Sequence, residues 1–513
     1  MFCGVAARAQ TGAASAPVPE TLPRVAVAGF EPADGCDPRD HWIGLGFEEA
    51  LSRRLLRIPH LQTLPPMLLH QAALELADTP DAKADWARVA ALLGANHRVS
   101  GRFAGPPDAV RIELTLHAGA APPQSTQLGP AALFEVLDAA TRWVVAHCGA
   151  PEPTGDAATR LFAPPCRTPT ALEHFCRALT AIRADNARDA GYYLEQSLAF
   201  DALFRPAQLL AAQLDLRRTP DARAGAVARL RQVAVLAQQA EDIPDQIETE
   251  LLLGIAALGD RSFEAAEIRL TAALAEARRH RLPYAEVVAL NNLADLHLNR
   301  AARPDRPPTA SAPGAPDRGP LEAALSRQQE VVSALKALGD QIALIPATNK
   351  LALIHEQLGN EADSLAAHEA TLAAAQRCGA TRSAATSWMF LGQAHRRAGR
   401  AEQARDALAE CLKLAPAAAR PTVRLLLADA EQALGRPQDA LRELEAAYAE
   451  IREGDDLVSQ LRCLRSLAEL RHAVGQRAEA LQALRDARDV AHALQLPDVE
   501  AIDRQLAEWQ RVP

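Results

Sequence analysis

Four sets of side chains have types and spacing that could do chemistry. His297, His355 and His395 recur at one position of a helical pattern, as a metal ladder or proton relay would. His355-Glu356 and His368-Glu369 begin the H-E-x-x-H zinc pattern, but neither is followed by its second histidine. Asp34, Asp37, Asp40 and His41 crowd one loop and could hold a cation. The cysteines Cys3, Cys36, Cys148, Cys166, Cys176, Cys378, Cys411 and Cys463 include no C-x-x-C pair, which removes zinc-ribbon and thioredoxin-like chemistry.

Geometry argues against each of these sites. If the three histidines fall in successive helix pairs, they stand about 16–20 Å apart, whereas zinc needs its ligands within about 2 Å. They read better as packing residues. Acidic side chains in the loop EPADGCDPRDHW are ordinary turn formers, and Asp455-Asp456 reads as a solvated turn. Free cysteine suits a small buried position between helices, although an exported chain could form disulfides. The sequence holds no P-loop, G-x-G-x-x-G or G-x-S-x-G motif. The expectation is a protein that is not an enzyme and needs no cofactor or metal.

Composition bounds the remaining choices. With 49% apolar and 23% charged residues the chain is a folded one, and with only 4% aromatics it suits closely packed thin helices. The 513 residues exceed one ordinary core. A net charge of -9 lacks the basic face that direct nucleic-acid binding needs. No stretch approaches the roughly 20 apolar residues of a membrane span. Lysine occurs only at Lys83, Lys336, Lys350 and Lys413, the bias of a GC-rich bacterial genome.

The segment 1–22 reads as a flexible tail or as a truncated signal or membrane segment. It has A-x-A character but neither a basic start nor an apolar run. The compartment is accordingly cytoplasmic or, with a truncated export segment, periplasmic.

Residues 23–148 read as a small α/β domain. RVAVAGF is a buried strand, and Phe47, Ala50, Leu51, Leu55 and Ile58 mark a helix. Trp86, Val89, Ala90 and Leu93 mark another, stopped by Gly94. HRVSGRF and VRIELTLHA form a hairpin across AGPPDA, and Leu133, Val136, Leu137, Ala140 and Val144 close the domain with a helix. The stretches RVAVAGFEP, WIGLGFEEALSRRLLRIPHLQTL, ARVAALLGANHRVSGRF and RIELTLHA resemble the amino-terminal domain of TolB and its relatives in bacterial signalling proteins. The chain departs from them at APPQSTQLG, where relatives carry a longer hairpin. In such relatives this domain precedes tetratricopeptide (TPR) repeats.

Residues 149–169, rich in proline and glycine, read as a linker, and 170–513 as a TPR array, a right-handed solenoid of antiparallel helix pairs. In WMFLGQAHRRAGRAEQARDALAECLKLAP, Trp388, Leu391, Gly392 and His395 match W-x2-L-G-x2-Y with histidine for tyrosine. Ala404 and Leu408 match A-x3-F with leucine for phenylalanine, and Pro416 supplies the final proline. Gly359, Gly399, Gly435 and Gly475 repeat in one inter-helix turn, and the half-motif returns at Leu251–Gly254, Asn291–Ala294, Lys350–His355, Leu426–Glu431 and Ser466–Arg471. The first repeat places Ala190, Leu194 and Ser197 on its second helix. Seven or eight repeats are expected, with a disordered insertion at 301–320.

A single helix pair cannot bury both its faces, so the array stands by stacking. The large free surface is then the concave face of the first helices. The motif phase points Asn291, Asp295, Asn349, Met389, Gln393, Arg396, Asp429, Arg462 and Arg465 toward it. Amides can grip an extended backbone and arginines an acidic ligand. The expected function is a protein-interaction scaffold for a peptide or partner protein, in bacterial signalling or the cell envelope. The alternative is the sensory or regulatory half of a larger protein, since relatives carry a CadC-type winged helix, a Ser/Thr kinase or an adenylate cyclase domain upstream.

Overall fold

The computed structural model describes residues 22–77, 84–302, 318–452, 454, 456–496 and 499–511. Nearly all of the expected tail, most of the expected insertion, Cys3 and Asp455 lie outside the described residues.

The amino-terminal part is a five-stranded sheet with helices. β1 (Arg24–Pro32) leads to α1 (Trp42–Leu55), β2 (Gln62–Thr63), α2 (Pro66–Leu76) and α3 (Trp86–Leu92). The hairpin β3 (His97–Ala104) and β4 (Val110–Ala118) follows, then β5 (Gln124–Ala131) and α4 (Leu133–His147). The strand order is β2-β1-β3-β4-β5, with β1 parallel to both neighbours and the last three antiparallel. β5 lies within the stretch APPQSTQLG and just past it, where no strand was expected. Helix α2 is not among the elements that the sequence pattern leads one to expect.

Strand β1 is apolar from Val25 to Phe30 because both its faces are covered there. Val25 and Val27 join one core with α1 and α4, while Ala26 and Ala28 join a second with α2 and α3. The β1–β3 register shifts between Val27 and Phe30, at Gly29 (φ +88°). Such a bulge leaves amides unpaired. Buried Glu48 accepts both, from Gly29 at 2.8 Å and Phe30 at 3.0 Å, and its other oxygen meets His70 at 3.2 Å.

Residues 149–169 hold the helix α5 (Gly155–Leu161), and Leu161 and Cys166 are buried in the first core. Antiparallel pairs follow: α6 (Pro169–Arg183) with α7 (Ala187–Phe200), α8 (Arg205–Asp215) with α9 (Pro220–Gln239), and α10 (Ile243–Gly259) with α11 (Phe263–Arg279). Next come α12 (Pro283–Ala301) with α13 (Arg318–Leu338), α14 (Gln341–Leu358) with α15 (Glu361–Cys378), and α16 (Thr381–Arg397) with α17 (Ala401–Leu414). The described pairs end with α18 (Arg420–Ala433) and α19 (Pro437–Ile451), then α20 (Leu457–Ala473) and α21 (Arg477–Ala493), and α22 (Val499–Arg511) covers the last. Each helix packs on its own partner, and the second helix of each pair packs on the element that follows, as a solenoid requires.

The motif residues do what their sizes imply. A β-carbon on Gly392 would lie 2.7 Å from Leu408, and one on Gly254 2.7 Å from Leu270, so glycine lets each first helix approach its partner. The inter-helix turn needs a left-handed residue, which Gly359, Gly399, Gly435 and Gly475 supply at φ +69° to +83°. Asp185 and Arg261 fill the same turn place in earlier pairs at φ +54° and +57°, which the glycine spacing alone could not show.

Candidate functional site

The first helices α12, α14, α16, α18 and α20 carry the predicted concave residues, and helical spacing puts them on one stripe per helix. On α12 the stripe runs Tyr284, Val287, Asn291, Asp295, and on α14 it runs Ile342, Ile345, Asn349. The amino-terminal ends of these stripes are covered by the chain's own sheet domain. Tyr284, Ile342 and Ile345 share a core with Leu69, Val89 and Leu93.

Polar contacts fix that docking along successive inter-repeat turns. Arg57 meets Asp242 at 2.5 Å, and the Tyr284 hydroxyl donates to the Leu93 carbonyl at 3.2 Å. Arg24 donates to the Leu338 carbonyl, and Arg88 to that of Cys378 at 2.6 Å. The Ser383 amide donates to Glu75 at 2.8 Å. Gly94 lies so close to the Leu338–Gly339 turn that an added β-carbon would stand 2.0 Å from the Leu338 oxygen. At this junction Asp340 is fully buried and caps α14 through the Ala343 amide at 2.8 Å. Burial pushes its carboxyl up to about 6, against the pull of the Ala343 and Ile342 amides. Burial likewise pushes the Tyr284 phenol well above its ordinary range.

Beyond the covered ends, the predicted residues fall into two polar groups. Asn291 and Asp295 converge on Lys350, whose ammonium meets them at 2.9 and 2.7 Å. Asn349, beside it, has a buried carbonyl oxygen with no hydrogen-bond partner among the described residues. Farther along, Arg396, Asp429 and Arg462 come from α16, α18 and α20. The surrounding protein pushes the Asp429 carboxyl up, and Arg396 and Arg462 oppose that shift. Gln393 is half-buried one turn before Arg396, and Arg465 is half-buried one turn after Arg462. Met389 is partly buried and packs on the core of Ala404, Leu408 and Cys411.

Sequence reasoning missed Lys350, which ties two predicted residues together. Its rarity in a chain that uses arginine almost everywhere was the available signal. It also missed Tyr284, because a tyrosine at a helix start resembles any core residue.

The histidines have separate surroundings. His297 and His395 are held below their ordinary range by burial, and His355 meets Asn360 at 3.3 Å. His368 stacks on Phe390 and meets Glu356 at 3.3 Å. Among the described residues no group of three or more His, Cys, Asp and Glu side chains could hold a metal ion. In the acidic loop, Asp37 accepts from the Arg39 amide at 2.9 Å, and Asp34 faces Arg102 at 3.6 Å. Among the described residues no helix is long and apolar enough to cross a membrane.

The architecture is therefore a TPR-type solenoid with a small sheet domain docked along its inter-repeat turns. Residues 344–417 match the family model described as tetratricopeptide repeat. A solved structure of a Signal Transduction ATPase with Numerous Domains (STAND) protein with a tetratricopeptide repeat sensor, from Pyrococcus horikoshii, is similar in fold at a TM-score of 0.51 and 13% identity. The match covers 73% of this chain and 54% of that one, so the chain spans about half of that protein's length. Human IFIT1, solved as a dimer with m7Gppp-AAAA, gives a TM-score of 0.42 at 11% identity, covering 74% and 77% of the two chains. BtubC (BKLC) from P. vanneervenii gives 0.36 at 16% identity, covering 48% and 90%. No curated protein matches the chain in sequence.

Proposed function

We propose that this protein is a non-catalytic interaction scaffold, working in bacterial signalling or the cell envelope. In this reading it holds a peptide or partner protein on the concave stripe of α16, α18 and α20. The observation that carries the reading is the placement of Arg396, Asp429 and Arg462 on three successive first helices, beyond the part of the stripe that the sheet domain covers. Asn291, Asp295 and Asn349 extend the same surface toward Lys350. Two arginines around one carboxylate leave excess positive charge, which favours an acidic segment. The sheet domain is read as TolB-like. Its strand, helix, hairpin and closing helix follow the order of the resemblance, and β5 adds a strand.

The test is selection of displayed peptides on the full chain, followed by measured affinities. Enriched peptides should be acidic, and Arg396→Glu or Arg462→Glu should weaken them about tenfold or more. Asn349→Ala should weaken those that reach α14. Peptides that bind both arginine variants as well as the parent would overturn the groove assignment. A second reading, the sensory or regulatory half of a larger CadC-type regulator, Ser/Thr kinase or adenylate cyclase, is favoured by the docking of the sheet domain. A domain held on the repeats of its own chain is a natural element for a ligand to shift.

A further inference from the structure

We infer that the chain carries a binding site for a small polyanion, a molecule with two or more phosphate or carboxylate groups, in the cleft between the sheet domain and the first three helix pairs. This site lies away from the concave stripe and does not depend on the scaffold reading. The cleft holds about 1190 Å³, room for a ligand of nucleotide size. It is bounded by the end of α1 and the loop after it, by residues 151–165, and by the turns that precede α8, α10 and α12.

Seven arginines and four carboxylates line the cleft, and Asp138, Asp245, Glu248 and Glu276 just outside it pair with Arg54, Arg53, Arg205 and Arg279. Arg57 and Arg205 both meet one oxygen of Asp242 at 2.5 Å, so a single carboxylate serves two guanidiniums. Burial raises the pKa of Glu49, another of the four, against the pull of Arg53, His70 and Arg183. Arg279 faces only Glu276, at 3.5 Å and mostly in solvent, and Arg281 makes no ion pair among the described residues.

Buried donors point the same way. The Nε atoms of Arg53, Arg54 and Arg57 are enclosed, and none has a hydrogen-bond partner among the described residues. Arg54 is only 2% exposed and holds Asp138 and the Ala163 carbonyl through its Nη atoms, which leaves Nε unanswered. Arg53 Nε faces the Glu49 carboxylate at 4.0 Å. Buried polar groups are rarely left without any acceptor, however, and the Nε atoms of Arg54, near the end of α1, and of Arg57, in the turn after it, mark a place where one belongs. The turns add field of the same sign. Phe204 and Leu282, which precede α8 and α12, give no side-chain cap; Pro206 and Pro283 have no N–H, so these first turns offer an anion only their other amides. The pairing of Arg53, Arg57 and Arg205 with Asp242 and Asp245 locks the two parts together. It accounts for the Nη atoms of these arginines and for the Arg205 Nε, but not for the enclosed Nε atoms of Arg54 and Arg57 or for Arg281.

The test is titration calorimetry on the full chain with sodium pyrophosphate and, separately, sodium citrate, with ionic strength held constant by sodium chloride. At least one should bind saturably at one site. Pyrophosphate alone would identify phosphate as the recognised group, and citrate alone would identify carboxylate. The double variant Arg279→Ala/Arg281→Ala, which changes two exposed residues, should keep its melting temperature and lose about tenfold in affinity. No saturable binding of either probe tighter than about 1 mM, or an unchanged affinity in the double variant, would overturn the proposal.

Discussion

Gly94→Ala should loosen the sheet domain from the repeats, and the cost can be worked from two glycines. Gly94 and Gly475 have nearly the same backbone, at φ +75° and +83°. For any other residue that conformation costs about 1 kcal/mol. Their surroundings differ. A β-carbon on Gly475 meets nothing within 4 Å, whereas one on Gly94 would lie 2.0 Å from the Leu338 oxygen. Relief requires the turn and α3 to part by about 1 Å, an overpacking cost of roughly 1–3 kcal/mol. The separation also stretches the bonds from Tyr284 to Leu93 and from Arg24 to Leu338. We expect Gly94→Ala to cost about 2 kcal/mol more than Gly475→Ala, concentrated at the docked surface. Native-state hydrogen exchange should show it as roughly thirtyfold faster exchange in α3 and the first turn of α14. Gly475→Ala should leave those amides unchanged. Equal exchange there in the two variants would refute the docking argument.

Other consequences follow from particular residues. Asp340 has a folded pKa of about 6, above its unfolded value near 3.8, so protonation favours the folded state. That contribution is full below about pH 4 and is lost as pH rises through 6, leaving a buried charge that costs about 3 kcal/mol at pH 8. Asp340→Asn keeps the cap but not the charge. It should stabilise the chain by about 2 kcal/mol at pH 8, after roughly 1 kcal/mol for the new amide, and destabilise it by up to about 1 kcal/mol below pH 4, where only the amide cost remains. Melts that show the same difference at both pH values would sink this account. Trp388, partly buried, packs against two cores at once. Trp388→Ala should cost about 3 kcal/mol in denaturant melts and couple to Leu408→Ala, whereas a loss under about 0.5 kcal/mol would mean the tryptophan bridges nothing.

The repeats were legible in the sequence because their signal is local and recurs. Gly392 against Leu408 has its counterpart in Gly254 against Leu270, and period alone reveals both. Inter-helix turns without glycine, at Asp185 and Arg261, gave no such sign. The strand β1 was legible as a buried run, but no pattern said that Val25 and Ala26 serve different cores. Docking was invisible for the same reason. Tyr284, Leu338, Cys378 and Ser383 meet the sheet domain across 191 to 314 positions, partly through backbone carbonyls that carry no residue-type signature. The nine predicted stripe residues follow from helical phase. Which end of each stripe lies open depends on the docked domain, so it could not be read from phase.

A solenoid is a spring whose curvature is the sum of small rotations, and an unsupported one flexes along its whole length. Here the early coils, from α6 to α16, are fastened at several points to one rigid bracket centred on β1. The last pairs share a core with no residue of that bracket. Bending should therefore concentrate past α16, so the free end swings like a jaw while the rest keeps its shape.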